Sequence, residues 1–105
     1  MRFGINTFLF TSPFTTESIS LFPQFKKWGF DSVEIALEDA SHIDPVTVKK
    51  ALDDNGLVCG SICAAMGGGR DLRGTPEAQK GALDYLKAVI DLSPVLGHPT
   101  LIGPL

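Results

Sequence analysis

The 105 residues carry 44% hydrophobic and 20% charged side chains, the balance of one ordinary globular core, so the chain is at most a single domain. A net charge of −3, with no basic run longer than the pairs Lys26-Lys27 and Lys49-Lys50, lacks the electrostatic footprint of a nucleic-acid binder. No apolar stretch reaches the roughly 18 residues that a bilayer demands, and MRFGINTFLF runs into the loop formers Thr11-Ser12-Pro13 rather than a cleavage site. A cytoplasmic protein with reduced cysteines and no membrane partner is expected.

In chain order, the aliphatic and β-branched runs predict a strand over Arg2 to Asn6, then a helix from Ser20 to Trp28. The helix is placed near Ser20 rather than Thr16 because Pro23 is tolerated only in a first helical turn. A strand over Ser32 to Ala36 follows, then a helix over Pro45 to Asn55 announced by the N-cap pair Asp44-Pro45. Next come a strand over Leu57 to Cys63, a helix over Pro76 to Leu96 capped at Thr75, and a strand over Thr100 to Ile102. Gly29, Gly56 and Gly97 each stand between a helical pattern and an extended run, where a left-handed residue ends a helix.

Along the last helix, Leu83, Leu86, Val89 and Ile90 fall to one side at three- and four-residue spacing, which predicts the face laid on the sheet. Pro94 removes the hydrogen bond to Ile90, so the final turn is expected to kink or unwind. The order βαβαβαβ gives an α/β class with parallel strands joined by right-handed crossovers. Barrel and open sheet are not separated by this pattern.

Glu34, between Val33 and Ile35, points to the opposite face from both, where a lone carboxylate requires a partner. A pocket role and a structural ion pair are equally open, with exposure on a sheet edge a third possibility. The loop GGGRDLRG, residues 67–74, precedes a helix start and brings Arg70 and Arg73, a composition able to hold phosphate, although it lacks the Lys-Ser/Thr ending of a P-loop. Its plainer reading is a surface loop. His42 and His98 have no partner at metal-ligand spacing and read as surface residues. Cys59 and Cys63, on one strand face and four steps of ~3.3 Å apart, read as unbridged packing residues.

The segments GINTFLFTSPF, WGFDSVEIALED, NGLVCGSICAAMG with GRDLRGTPE, and LGHPTLIGPL resemble, in order along the whole chain, the sugar epimerases of the xylose-isomerase-like (β/α)8 barrels. The subgroup most similar is that of the D-tagatose 3-epimerases and L-ribulose 3-epimerases. The resemblance implies the N-terminal half of a TIM barrel, a single incomplete domain over residues 1–105, since a whole barrel takes roughly 250 residues.

It also implies a divalent metal, manganese, cobalt or magnesium, held by two Glu, an Asp and a His on later strands, so neither metal ligands nor catalytic residues are expected in this chain. The implied parent reaction is epimerisation of a ketose by proton transfer through an enediolate. Related isomerases of hydroxypyruvate or sugar phosphates, inosose dehydratases, and a non-catalytic remnant that self-associates through open strand edges are the alternatives.

For this chain the resemblance implies one wall of a substrate pocket at the carboxyl ends of the strands. Asn6 matches the position ending the first strand and Phe14 the aromatic in the loop after it. Ile62 or its neighbour Cys63 matches the position on the third strand, and Pro104 the residue past the fourth. Glu34 joins them as a candidate, and Arg70 and Arg73 become the residues to test for a phosphorylated sugar.

Overall fold

Alternation in the segment SVEIAL sets the architecture. Val33, Ile35 and Leu37 are fully buried on one face of strand β2 (Ser32–Leu37), and Ser32, Glu34 and Ala36 take the other. The structure is a computed structural model that describes residues 2–66 and 69–103. β2 pairs in parallel with β1 (Gly4–Asn6) and with β3 (Val58–Ala64), and β4 (Thr100–Ile102) adds to β3. The sheet order is β1-β2-β3-β4.

Helices α1 (Phe22–Lys27), α2 (Pro45–Asp54) and α3 (Pro76–Leu92) connect the strands and cover the face that bears Val33, Ile35 and Leu37. Phe22, Phe25, Val48, Leu52, Tyr85 and Val89 complete that core. The opposite face of the sheet carries Gly4, Ser32, Glu34 and Ser61 and is here called the open face. Among the described residues β1 and β4 are both edge strands.

Punctuation follows the expected chemistry. Gly29, Gly56 and Gly97 have φ of 93°, 66° and 93°, the left-handed conformation that ends α1 and α2 and, after α3, the turns that follow it. Asp44 and Thr75 accept the N–H groups of Val46 and Ala78 at 3.2 Å each, capping α2 and α3.

Three expectations are corrected. Helical structure begins at Thr16, not Ser20: a 3-10 segment (Thr16–Leu21), with Thr15 N–H donating to Ser18 Oγ at 3.0 Å, precedes α1 and leaves Pro23 in the first turn of the α-helix. The proline rule therefore locates the α-helix but not the turn that leads into it.

On α3 the buried face is Ala82, Tyr85, Val89 and Leu92, with Leu86 packed beside it; Val89 and Leu86 thus fall where expected, while Leu83 and Ile90 are 47% and 54% exposed. Hydropathy favoured the larger aliphatics over the alanine and the tyrosine that make the contact. The helix stops at Leu92 and the chain runs through tight turns to Gly97, the unwinding expected of Pro94, which has no N–H to give Ile90.

The third correction concerns β3. Val33 stands opposite Cys59 and Glu34 opposite Ser61, so Gly60 is an extra residue, a β-bulge. Beyond it the alternation restarts: Cys59 lies under the helices, whereas Ser61 and Cys63 turn to the open face. The two cysteines thus occupy opposite faces, not one.

Candidate binding cleft at the carboxyl ends of the strands

β1 ends because its chain turns into a 3-10 segment (Thr7–Leu9), and two side chains manage that turn. Asn6 caps it, its Oδ1 accepting the Phe8 N–H at 2.7 Å. Thr7 is fully buried and its hydroxyl accepts the Ala36 N–H at 3.0 Å, replacing the ladder bond that β1 no longer supplies. Phe8 and Leu9 are left standing above the strand ends, 61% and 74% exposed.

These residues form one wall of a cleft of about 470 Å³ whose other walls are Ala36 and Glu38 at the end of β2 and Cys63, Ala64, Ala65 and Met66 at the end of β3. The size is that of a small-molecule site, and its surface is apolar apart from Asn6, Glu38 and the Cys63 thiol. A smaller hollow of about 310 Å³ lies below on the open face, lined by Gly4, Ser32, Glu34 and Ser61 among others, and shares Asn6 with the cleft.

Between the two runs a chain of hydrogen bonds across three strands. Asn6 Nδ2 donates to Glu34 Oε2, and Ser61 Oγ donates to Glu34 Oε1 at 2.8 Å. Among the described residues Glu34 thus has neither the ion pair nor the edge exposure left open by its sequence position. Two neutral donors satisfy it. Glu38 is held separately: Ser12 Oγ donates to its Oε1 at 2.6 Å.

Arg70 does not face the cleft as a phosphate clamp. Its Nη1 donates to the carbonyls of Glu38 and Ala65 at 2.8 and 3.0 Å, and its guanidinium lies 4.0 Å over the Tyr85 ring. Tyr85 in turn donates its hydroxyl to the Leu37 carbonyl and accepts the Ala65 N–H at 2.8 Å. Arg73 is 87% exposed in its side chain, 3.9 Å from Asp71.

Of the other expected site residues, Cys63 lines the cleft and Ile62 is fully buried in the core beneath the helices, which separates the two neighbours. Phe14 is also fully buried, stacked on Phe22 with ring centroids 6.2 Å apart, and does not line the cleft. Pro104 lies outside the described residues. His98 is exposed, whereas His42 is half-buried and its Nδ1 has no partner among the described residues.

Burial pushes the Cys59 thiol up to about 12 and raises that of Cys63 as well, with the Glu34 carboxylate adding to the effect on both. Neither is the activated thiolate of a nucleophile.

Sequence reasoning missed Phe8, Leu9 and Glu38 in the cleft, and Tyr85 behind it. The expected strand ends at Asn6 and leaves Phe8 and Leu9 unassigned, and no local signal marks the turn except Asn6 itself, a residue type that caps helices.

No protein-family profile matches the chain. It is 29% identical over 105 residues to a probable ketose 3-epimerase of Synechocystis sp., spanning 99% of this chain and 36% of that protein. Among solved structures it superimposes on the D-allulose 3-epimerase of Methylomonas sp. in complex with D-allulose, with a TM-score of 0.86 at 21% identity, over 98% of this chain and 36% of that one. A D-psicose 3-epimerase solved in the presence of D-fructose gives a TM-score of 0.75 at 19% identity, over 98% and 37% of the two chains.

The chain matches the N-terminal part of the xylose-isomerase-like epimerase barrels. It spans about a third of the length of those relatives. In an epimerase barrel the carboxyl ends of the strands are the ligand-binding end, which is where the cleft lies.

The donor set described here does not fit the divalent metal expected of an epimerase barrel. Among the described residues no three His, Cys, Asp or Glu side chains are grouped to hold an ion. Glu34, on the open face below the cleft, has a neutral donor on each oxygen, and Glu38 at the end of β2 stands without a second carboxylate among the described residues of the cleft.

Proposed function

We propose that this chain supplies the N-terminal wall of the sugar-binding cleft of a ketose 3-epimerase-type barrel, a metal-dependent class of enzyme working through an enediolate, and that it binds and orients the sugar without turning it over alone. One observation carries the reading. At the carboxyl ends of β1, β2 and β3 a cleft of sugar size sets Asn6 and Glu38, a donor and an acceptor, among apolar walls suited to a sugar's C–H surface. Proton removal and return need an acid/base pair, and the cleft's described residues offer only Glu38 as a carboxylate.

The same geometry favours a free sugar over a phosphorylated one. Arg70 is committed to two carbonyls and a ring, and the charge that lines the cleft is the Glu38 carboxylate, which repels phosphate.

The test is a titration of the purified chain with D-allulose and, separately, D-allulose 6-phosphate, followed by amide NMR, with an epimerisation assay in manganese. Shifts confined to Asn6, Cys63 and their neighbours with the free sugar, and no turnover, are expected. Preference for the phosphate ester, or shifts away from the strand ends, overturns the reading.

A second reading rests on the two edge strands. Exposed Phe3 precedes β1, and exposed Ile102 of β4 shares a hollow with exposed Ile90 of α3, so these edges suit pairing with a second copy. Sedimentation at micromolar concentration distinguishes a dimer from a monomer, and a monomer removes this reading.

A further inference from the structure

We propose that Glu34 is a positioning residue that fixes which way round the Asn6 amide sits, and through it the Phe8–Leu9 wall of the cleft. A carboxylate only accepts, so the atom of Asn6 turned to Glu34 must be Nδ2. Oδ1 is then left to accept the Phe8 N–H at 2.7 Å, the bond that starts the turn carrying Phe8 and Leu9. Were the amide reversed, Nδ2 would confront the Phe8 N–H and both donors would lack an acceptor.

Ser61 holds the other carboxylate oxygen at 2.8 Å, so Glu34 cannot swing away without losing a second bond. Ser61 reaches it only because the Gly60 bulge turns that position to the open face. The amide so oriented keeps one Nδ2 hydrogen uncommitted among the described hydrogen bonds. That hydrogen is the donor that the cleft presents to a ligand oxygen, a role that rests on the sugar-binding reading.

A charge that merely completes the fold would affect the whole sheet. A positioning residue affects Phe8 and Asn6 first, and the conservative variant rescues it. Glu34→Gln can accept from Asn6 at Oε1 and donate at Nε2 to Ser61 Oγ, because a hydroxyl accepts as well as donates. Glu34→Met can do neither.

The experiment measures water exchange of backbone amides and of the Asn6 side-chain amide by NMR in the full chain. Exchange at Phe8 should rise about tenfold in Glu34→Met, stay near the wild-type rate in Glu34→Gln, and rise far less at Ile35 and Ile62. An unchanged Phe8 rate, or an equal rise at Ile35 and Ile62, overturns the proposal. Should Glu34→Met fail to fold, the unsubstituted chain still decides the matter. One Asn6 Nδ2 proton should exchange more slowly than its partner, and equal rates overturn it.

Adding D-allulose separates this proposal from the sugar-binding reading. If the exchange pattern holds and the sugar leaves Asn6 unmoved, the positioning role stands and the sugar reading fails.

Discussion

Arg70 lies over Tyr85 with its guanidinium carbon 4.0 Å from the ring centroid, and together the two side chains tie off the ends of two neighbouring strands. Tyr85 bonds Leu37 and Ala65, and Arg70 bonds Glu38 and Ala65, so β2 and β3 are clasped just where their backbone ladder ends. Tyr85→Phe keeps the ring beneath Arg70 but leaves the Leu37 carbonyl and the Ala65 N–H without their partner. A loss of about 1–3 kcal/mol in urea unfolding is expected. Arg70→Met should cost less in the Tyr85→Phe background than in the wild type, since the two side chains share one clasp.

Phe14 offers a test of placement. As an aromatic stacked on Phe22 in the core, Phe14→Ala should cost about 3–5 kcal/mol of stability and leave the affinity of the folded chain for a sugar unchanged. A fall in affinity with stability intact would instead return Phe14 to the cleft.

The two thiols should differ in reactivity and share a direction in pH. Cys63 lines the cleft and Cys59 is buried under helices, so iodoacetamide on the native protein should label Cys63 first. Burial raises both thiols and the Tyr85 phenol above their ordinary values. The unfolded chain therefore loses these protons at lower pH than the folded one, and the stability they contribute is complete below about pH 9 and declines as pH rises toward 12. Urea midpoints at pH 8 and pH 10.5 check the sign, and an unchanged midpoint would contradict it.

Two glycines should respond to alanine for different reasons. Gly29 has φ of 93° with open space where a methyl group would sit, so Gly29→Ala carries a conformational cost of roughly 1–2 kcal/mol and no clash. Gly81 sits in α3, where alanine is otherwise favoured, but its Cβ would lie 2.6 Å from the Gly69 carbonyl oxygen. Gly81→Ala should displace the segment beginning at Gly69 and loosen Arg70, visible as changed amide shifts at Ala65 and Glu38.

The strand and helix order was legible because a left-handed glycine stands between each helix and the next strand and because Asp44 and Thr75 cap α2 and α3, and these signals are local. The inward and outward faces were less so. A bulge at Gly60 changes alternation by one residue, and periodicity read across it assigns Cys59 and Cys63 to one face. Asn6 and Cys63 were found as cleft residues through family resemblance, which preserves position along a strand. Phe14 was placed in the pocket by the same route, and packing against Phe22 decided otherwise. Glu38, Ser61 and Tyr85 act through partners 26 to 48 residues away in sequence, beyond any local pattern.

That single extra residue at Gly60 separates two tasks along β3. Upstream, Cys59 answers to the helices; downstream, Ser61 answers to Glu34 and Cys63 to the cleft, while Ile62 returns to the core. Gly60 is the residue left out of the ladder, so deleting it would keep Ser61 opposite Glu34 and Ile62 opposite Ile35 and straighten the strand between Cys59 and Ser61. The face that each side chain takes is thus stored in the pairing with β2 rather than in a count along β3: four positions separate Cys59 from Cys63, yet the two thiols look opposite ways.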